Sequence, residues 1–267
     1  MRLTGSAAPK GKKRIVKILT ICAVFTLLGS LLFSGVYSAM SGYSSVIDAD
    51  DVEMIQLEPP KSGDDAAVIR TTAGDMTFVL YPSVCPEAVA NFKNLAETGY
   101  YDNSYVFSVV PDVYFEAGSP NADGSLKESD LSKPCERIPR EASAKLWPLR
   151  GALCAPTTTA DTGFFKSLFG KQSFYNGSRF LVADTVEMTE EMQSGLRENQ
   201  KLSAVADAFI EHGGIPNFSM QMTVFGQLTD GFDVLDAITG SETVSEGEIS
   251  RPKDEIRILS VEITQIP

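Results

Sequence analysis

Polar and apolar positions first settle into a regular rhythm at residues 66–81. The runs 66–72 and 75–81 are rich in β-formers. Met76, Phe78 and Leu80 alternate with Thr77, Val79 and Tyr81, and Ala73-Gly74 supplies a turn, which predicts a hairpin. The period then lengthens. Pro86 stands where the first turn of a helix tolerates it, Val89, Phe92, Leu95 and Ala96 follow at helical spacing, and Gly99 supplies the stop. Two strand-like runs, 105–110 and 113–117, are split by Pro111-Asp112. Residues 118–150 and 155–175 are rich in Gly, Ser, Thr and charge and read mainly as long loops, whereas 179–183 is again β-like. Leu202, Val205, Ala206, Phe209 and Ile210 mark one face of a helix ended by Gly213-Gly214. A strand over 223–228, a short helix over 232–238 and a closing strand over 256–263 complete the pattern. Many strands with two or three helices at the ends predict a mostly β, α+β domain built as a β-barrel.

The amino end follows a different pattern. Residues 18–40 form a run of 23 residues without a charge, preceded by six cations (Arg2, Lys10, Lys12, Lys13, Arg14 and Lys17). A bilayer core needs about 20 apolar residues, and positive charge on the amino side keeps that end in the cytoplasm. The competing reading is a signal peptide cleaved near Ala39-Met40-Ser41, whose apolar region would ordinarily run only about 7–15 residues. Residues 41–65 mix Ser, Gly, Pro and acids, as in Glu58-Pro59-Pro60 and Ser62-Gly63-Asp64-Asp65, with little periodicity. The expected organisation is a cytoplasmic basic segment over 1–17, one transmembrane helix over 18–40, a solvated linker over 41–65 and a domain over 66–267. The protein is then a single-pass protein of the cell membrane with an extracytoplasmic domain, or a secreted one if the leader is cut. This arrangement suits a Gram-positive bacterial surface, with a eukaryotic type II membrane protein as the alternative.

Charge sharpens this picture. No Asp or Glu precedes Asp48, so without the six leading cations 17 Lys and Arg face 35 Asp and Glu, a net charge of −18 over residues 48–267. Such a surface repels phosphate backbones and argues against nucleic acid as a partner. Four cysteines are present, with Cys22 inside the apolar run. Cys85, Cys135 and Cys154 allow one disulfide, such as Cys135–Cys154, or three free buried thiols. Their spacing fits no zinc site, and the single histidine, His212, leaves no basis for histidine-dependent metal or triad chemistry. No motif calls for a metal or other cofactor. His212 precedes Gly213-Gly214, where a cation meets a helix carboxyl end favourably, and Trp147 reads as core. The phenylalanines within 163–170 either fold over the domain or form a binding edge. Asn176-Gly177-Ser178 formally reads as a glycosylation acceptor.

The order of elements and the words within it resemble the cyclophilin family of peptidyl-prolyl isomerases over about residues 66–265. Those words are Thr72-Ala73-Gly74, the helix Cys85-Pro86-Glu87-Ala88-Val89-Ala90-Asn91-Phe92, and the corner Gly99-Tyr100-Tyr101-Asp102. Arg150-Gly151-Ala152-Leu153, Asn176-Gly177-Ser178-Arg179-Phe180 and Thr223-Val224-Phe225-Gly226 follow in the family's order, then the stretch from Phe232 to Ile238, and Arg251-Pro252 before the last strand. The resemblance implies a cyclophilin-like closed antiparallel barrel with flanking helices. It also implies an activity, isomerisation of X–Pro bonds, in which an arginine aimed at the prolyl nitrogen weakens amide resonance across a barrier of about 18–20 kcal/mol.

Against the family's "F-H-R-V-I-P" strand this chain reads Val106-Phe107-Ser108-Val109-Val110-Pro111, which puts Ser108 at the place of the arginine. Glu116 stands where the family has a glutamine, Arg179 replaces another, and Asn217, Phe218 and Met222 occupy the places of its Trp, Leu and His. The resemblance thus marks Ser108, Glu116 and Arg179 as the catalytic positions and Val113, Tyr114, Leu181, Phe218 and Met222 as an apolar pocket for proline. Glu116 and Arg179 are expected to form an ion pair, either an inert replacement of a Gln–Gln contact or a catalytic guanidinium moved one strand across. Two functions remain open. One is an extracytoplasmic isomerase of weakened activity that assists exported proteins through their proline-containing segments. The other is a tethered module that binds such segments without turnover.

Overall fold

The computed structural model describes residues 51–125, 138–159, 174–198, 202–246 and 249–267. The expected hairpin is β1 (Asp65–Thr71) and β2 (Gly74–Leu80), paired from Ala66↔Val79 to Thr71↔Gly74. Helix α1 follows over Pro86–Glu97 and buries Ala88, Val89, Phe92, Leu95 and Ala96. Its amino end is capped from a distance. Cys85, at the cap position, makes no side-chain cap bond, and the Glu141 carboxylate accepts instead from the backbone N–H groups of Glu87 (3.2 Å) and Ala88 (2.8 Å). Gly99, at φ +70°, turns the chain out of the helix.

Strands β3 (Ser104–Val110) and β4 (Tyr114–Ser119) come next, then the short β5 (Ile138–Pro139), β6 (Ala152–Ala155), β7 (Thr158–Thr159), β8 (Phe174–Asn176) and β9 (Phe180–Ala183). Helices α2 (Glu190–Arg197) and α3 (Ser203–His212) lead into β10 (Thr223–Asp230), α4 (Phe232–Thr239), the hairpin β11 (Thr243–Glu246) and β12 (Ile249–Pro252), and β13 (Arg257–Gln265). Eight strands close into a barrel in the order β1-β13-β3-β4-β9-β6-β10-β2, and every ladder in it is antiparallel. The barrel and the face of α1 share one core, in which Ile69, Phe78, Phe115, Leu153, Phe225 and Ile258 are each no more than 2% exposed. Each such side chain stabilises the fold by about 1.5–3 kcal/mol.

A second core stands apart from the first. Trp147 and Leu149 pack with Leu196 of α2 and with Leu202, Val205, Ala206, Ala208 and Phe209 around α3. Periodicity predicts α3 but not α2, which Thr189 caps by accepting a bond from the Met192 N–H (3.3 Å). The solvated-linker expectation for 41–65 is corrected over residues 52–56, while residues 57–63 are exposed. Val52 and Met54 pack on the second core, Gln56 is buried, and Trp147 donates its indole N–H to the Glu53 carbonyl (3.1 Å). The apolar alternation of Val52 and Met54 is too short to announce this among the surrounding acids.

The segments proposed for the cytoplasm and the membrane, 1–17 and 18–40, lie outside the described residues. So do Cys135 and the phenylalanines of 163–170. No described helix is long and apolar enough to cross a membrane.

Candidate functional site

Strand pairing assembles the site. Ser108 on β3 lies opposite Glu116 on β4, Glu116 opposite Leu181 on β9, Leu181 opposite Cys154 on β6, and Cys154 opposite Val224 on β10. Paired residues share a face of a sheet, so these five side chains form one row across the strands. Within β4 the alternation is clear: Phe115 and Ala117 are fully buried in the barrel, while Tyr114 and Glu116 are only partly covered on the other face. The Tyr114 ring packs against Phe218 with centroids 5.5 Å apart. Val113, Tyr114, Phe218 and Met222 all lie half-buried against the barrel core.

The turn before β4 is held firmly. The Asp184 N–H donates to the Val113 carbonyl (2.7 Å) and the Asp112 N–H to that of Thr239 (3.1 Å). The Asp184 carboxylate in turn accepts from Arg150 Nε (2.9 Å) and from the Thr239 hydroxyl (2.7 Å). Arg150 also pairs with Asp236. This network fixes Asp112 at φ +59° and thereby the direction in which Val113 and Tyr114 leave the turn. On the other side of β4, Gly118 at φ +86° brings the backbone against the Ser178 carbonyl, which a Cβ would approach to 2.8 Å. Tyr101 donates its hydroxyl to the same carbonyl (3.0 Å). The loop that delivers Arg179 is therefore seated closely on β4.

Arg179 does not meet Glu116 as expected. Among the described residues no ion pair within 4.0 Å joins them. Arg179 lies outside the β4–β9 ladder, which begins at Phe180, and its guanidinium sits over the Phe107 ring, 5.8 Å from the centroid. The two charges still sense each other. Burial pushes the Glu116 carboxyl above its ordinary value, and the Arg179 charge offsets part of that rise. Tyr114 is raised too, mainly by burial and further by the Glu116 charge. Glu116 is thus a carboxylate without a close cationic partner in an apolar setting.

The structure brings Ser108, Glu116 and Leu181 together in one row and places Tyr114 on the same face, packed against Phe218. Arg179 stands apart over Phe107. Nothing in the residue pattern marks Cys154 and Val224 as members of the row, because their places depend on the β9–β6–β10 register. Cys154 is a free, fully buried thiol, and Cys135, the partner considered for it above, lies outside the described residues. Burial drives the Cys154 pKa upward. Cys85, at the amino end of α1, donates to the Val224 carbonyl (3.2 Å) and is pushed up to about 12 by burial and by Glu141. Asn217 Oδ1, next to Phe218, is buried and accepts no hydrogen bond. His212 is an exposed residue of the last turn of α3, and Trp147 is 1% exposed in the second core.

The fold and much of the sequence are matched by known proteins. The family described as "Cyclophilin type peptidyl-prolyl cis-trans isomerase/CLD" matches residues 66–263. The chain belongs to the cyclophilin-type peptidyl-prolyl cis-trans isomerase family. Among individual relatives, a protein of Staphylococcus saprophyticus, provisionally named a peptidyl-prolyl cis-trans isomerase, is 32% identical over 79% of this chain and 98% of its own. A protein of Staphylococcus aureus with the same provisional name is 30% identical over 77% and 94%. A provisionally named bifunctional phosphatase/peptidyl-prolyl cis-trans isomerase of Streptococcus pyogenes is 32% identical over 80% of this chain, which spans only 42% of that protein. A crystal structure of a cyclophilin type isomerase from Cryptosporidium parvum superposes with a TM-score of 0.53 at 23% identity, covering 76% of this chain and 99% of the other, a likeness of fold.

Proposed function

We propose that the domain is an extracytoplasmic cyclophilin, held at the membrane by residues 18–40, that isomerises X–Pro bonds of exported proteins with weakened activity. X–Pro bonds interconvert in tens to hundreds of seconds without help, slowly enough to limit folding. One observation carries the reading: Ser108 and Glu116 face each other in the row beside the Tyr114–Phe218 pair, a polar pair next to an apolar surface that can receive a proline ring. The family supports the reaction type. A second Cryptosporidium parvum structure of the same isomerase was determined in the presence of the dipeptide Ala-Pro.

The weakening follows from the donor. An arginine supplies a charged fork to the prolyl nitrogen, and a serine hydroxyl supplies one neutral hydrogen bond. Removing one preorganised donor from an active site costs about 10²–10³ in rate. The same substitution favours a second reading, a tethered module that binds proline segments without turnover.

An exchange-NMR isomerase assay on the full-length chain, with wild type, Ser108→Arg and Arg179→Ala, separates the two. The enzyme reading expects slow turnover above the uncatalysed rate in wild type and a gain of at least tenfold in Ser108→Arg. No turnover in either protein, with peptide resonances still broadened by binding, would leave the binding module. A loss of wild-type turnover in Arg179→Ala would show that the guanidinium acts from its seat over Phe107.

A further inference from the structure

We propose that Glu116 makes the groove select proline segments that carry a lysine or arginine side chain beside the proline. The inference rests on the reading that the groove receives proline segments, and it names the class it prefers. In the row Ser108–Glu116–Leu181–Cys154–Val224, Glu116 is the one charged member, and the last three are buried apolar or thiol side chains exposed by at most 5%. A carboxylate in such surroundings has lost part of its hydration, and the raised pKa expresses that loss.

The nearest source of compensation within the protein is diverted. Arg179 lowers the Glu116 pKa only in part, while its guanidinium is held over Phe107 and makes no ion pair with Glu116. A cation delivered by a ligand completes what the fold leaves open. The adjoining Tyr114–Phe218 pair is suited to the rest of such a ligand. Aromatic faces accept both a proline ring and the aliphatic stem of a lysine or arginine, and they attract the cationic head.

Long-range charge acts in the same direction. With a net charge of −18 over residues 48–267, the exported part draws basic segments toward its surface and repels acidic ones. A glutamine at position 116 would add no local preference to this long-range one, because a neutral amide pairs equally well with either sign.

The test is a peptide-observed NMR titration of the full-length protein with four capped peptides: Ala-Lys-Pro-Phe, Ala-Gln-Pro-Phe, Ala-Glu-Pro-Phe and the proline-free Ala-Lys-Ala-Phe. A partly desolvated charge pair is expected to make the Lys-Pro peptide bind about fivefold more tightly than the Gln-Pro peptide, with Glu-Pro weakest. Added salt shrinks the ratio. In Glu116→Gln the Lys-to-Gln ratio falls to the smaller value that the long-range charge alone sustains. In Arg179→Ala, which removes the competing cation, it widens.

Equal affinity of wild type for the Lys-Pro and Gln-Pro peptides overturns the inference, as does an unchanged ratio in a folded Glu116→Gln protein. If the Gln-Pro peptide still binds in either case, the proline-groove reading survives on its own. If none of the peptides binds, or the proline-free peptide binds as well as Ala-Lys-Pro-Phe, the proline groove itself is refuted and the inference with it.

Discussion

Replacing Gln56 by alanine tests whether the segment before the barrel is part of the folded unit. The Gln56 side chain is 7% exposed and bonds three ways. Its Nε2 donates to the Trp147 carbonyl and to Gln227 Oε1, both at 2.8 Å, and its Oε1 accepts from the Trp147 N–H at 2.5 Å. Each bond contributes about 0.5–1.5 kcal/mol net, and each buried partner left alone costs about 1–3 kcal/mol. Partial rescue by entering water brings the expected loss to about 3 kcal/mol. For a domain of this size that lowers Tm by roughly 6–12 °C. Thermal unfolding of the full-length chain, followed by circular dichroism, reads the effect directly. Glu58→Ala, at an exposed residue paired only with Lys61 across 3.6 Å, is the matched control and should change stability by less than about 0.5 kcal/mol. A Gln56→Ala protein that melts within a degree or so of wild type would refute the docking of residues 52–56 and return them to solvent.

Three further expectations follow from the same contacts. Glu116 has a folded pKa raised by burial, so its contribution to stability is fully present below the unfolded value of about 4.3 and is lost as pH rises through the folded one. Glu116→Gln should therefore be more stable than wild type at pH 7 and lose that advantage near pH 4 in urea titrations, and a constant difference across this range would contradict the shift. Glu141→Ala removes the remote cap of α1 and should cost about 1 kcal/mol in the same assay, with Glu141→Gln recovering less than the full amount because the charge on the helix end is gone. Cys85, pushed up to about 12 and buried, should resist iodoacetamide at pH 8 in the folded protein and react once urea unfolds it, as mass spectrometry would show; rapid labelling of the native chain would refute the burial.

The repeating elements were legible because each carries its own period. The β1–β2 alternation, the α1 face from Val89 to Ala96 and the α4 stretch can each be read within a dozen residues. Helix α2 was not, since its only fully buried side chain is Leu196, its one other apolar side chain is Met192, and the remaining side chains are charged or polar. The β11–β12 hairpin was missed for a related reason: Thr243–Glu246 carries a single large apolar side chain, Val244, and that one is exposed. The site was half legible. Family words located Ser108, Glu116 and Leu181, but pairing places Arg179 outside the ladder, and an aromatic ring at Phe107 captures it. Sequence distance cannot reveal that choice. Gln56 was hidden most completely, because a lone glutamine among acids and prolines looks the same whether it is solvated or buried against Trp147.

The docked segment also sets how the domain meets mechanical load. A pull on the chain from its amino end does not reach the β1 ladder first. It arrives at Gln56, whose bonds to the Trp147 backbone and to Gln227 on β10 hold the segment nine residues ahead of Asp65. The second core around Trp147 therefore acts as a strain relief, yielding before force can peel β1 from the barrel and distort the row that runs from Ser108 to Val224.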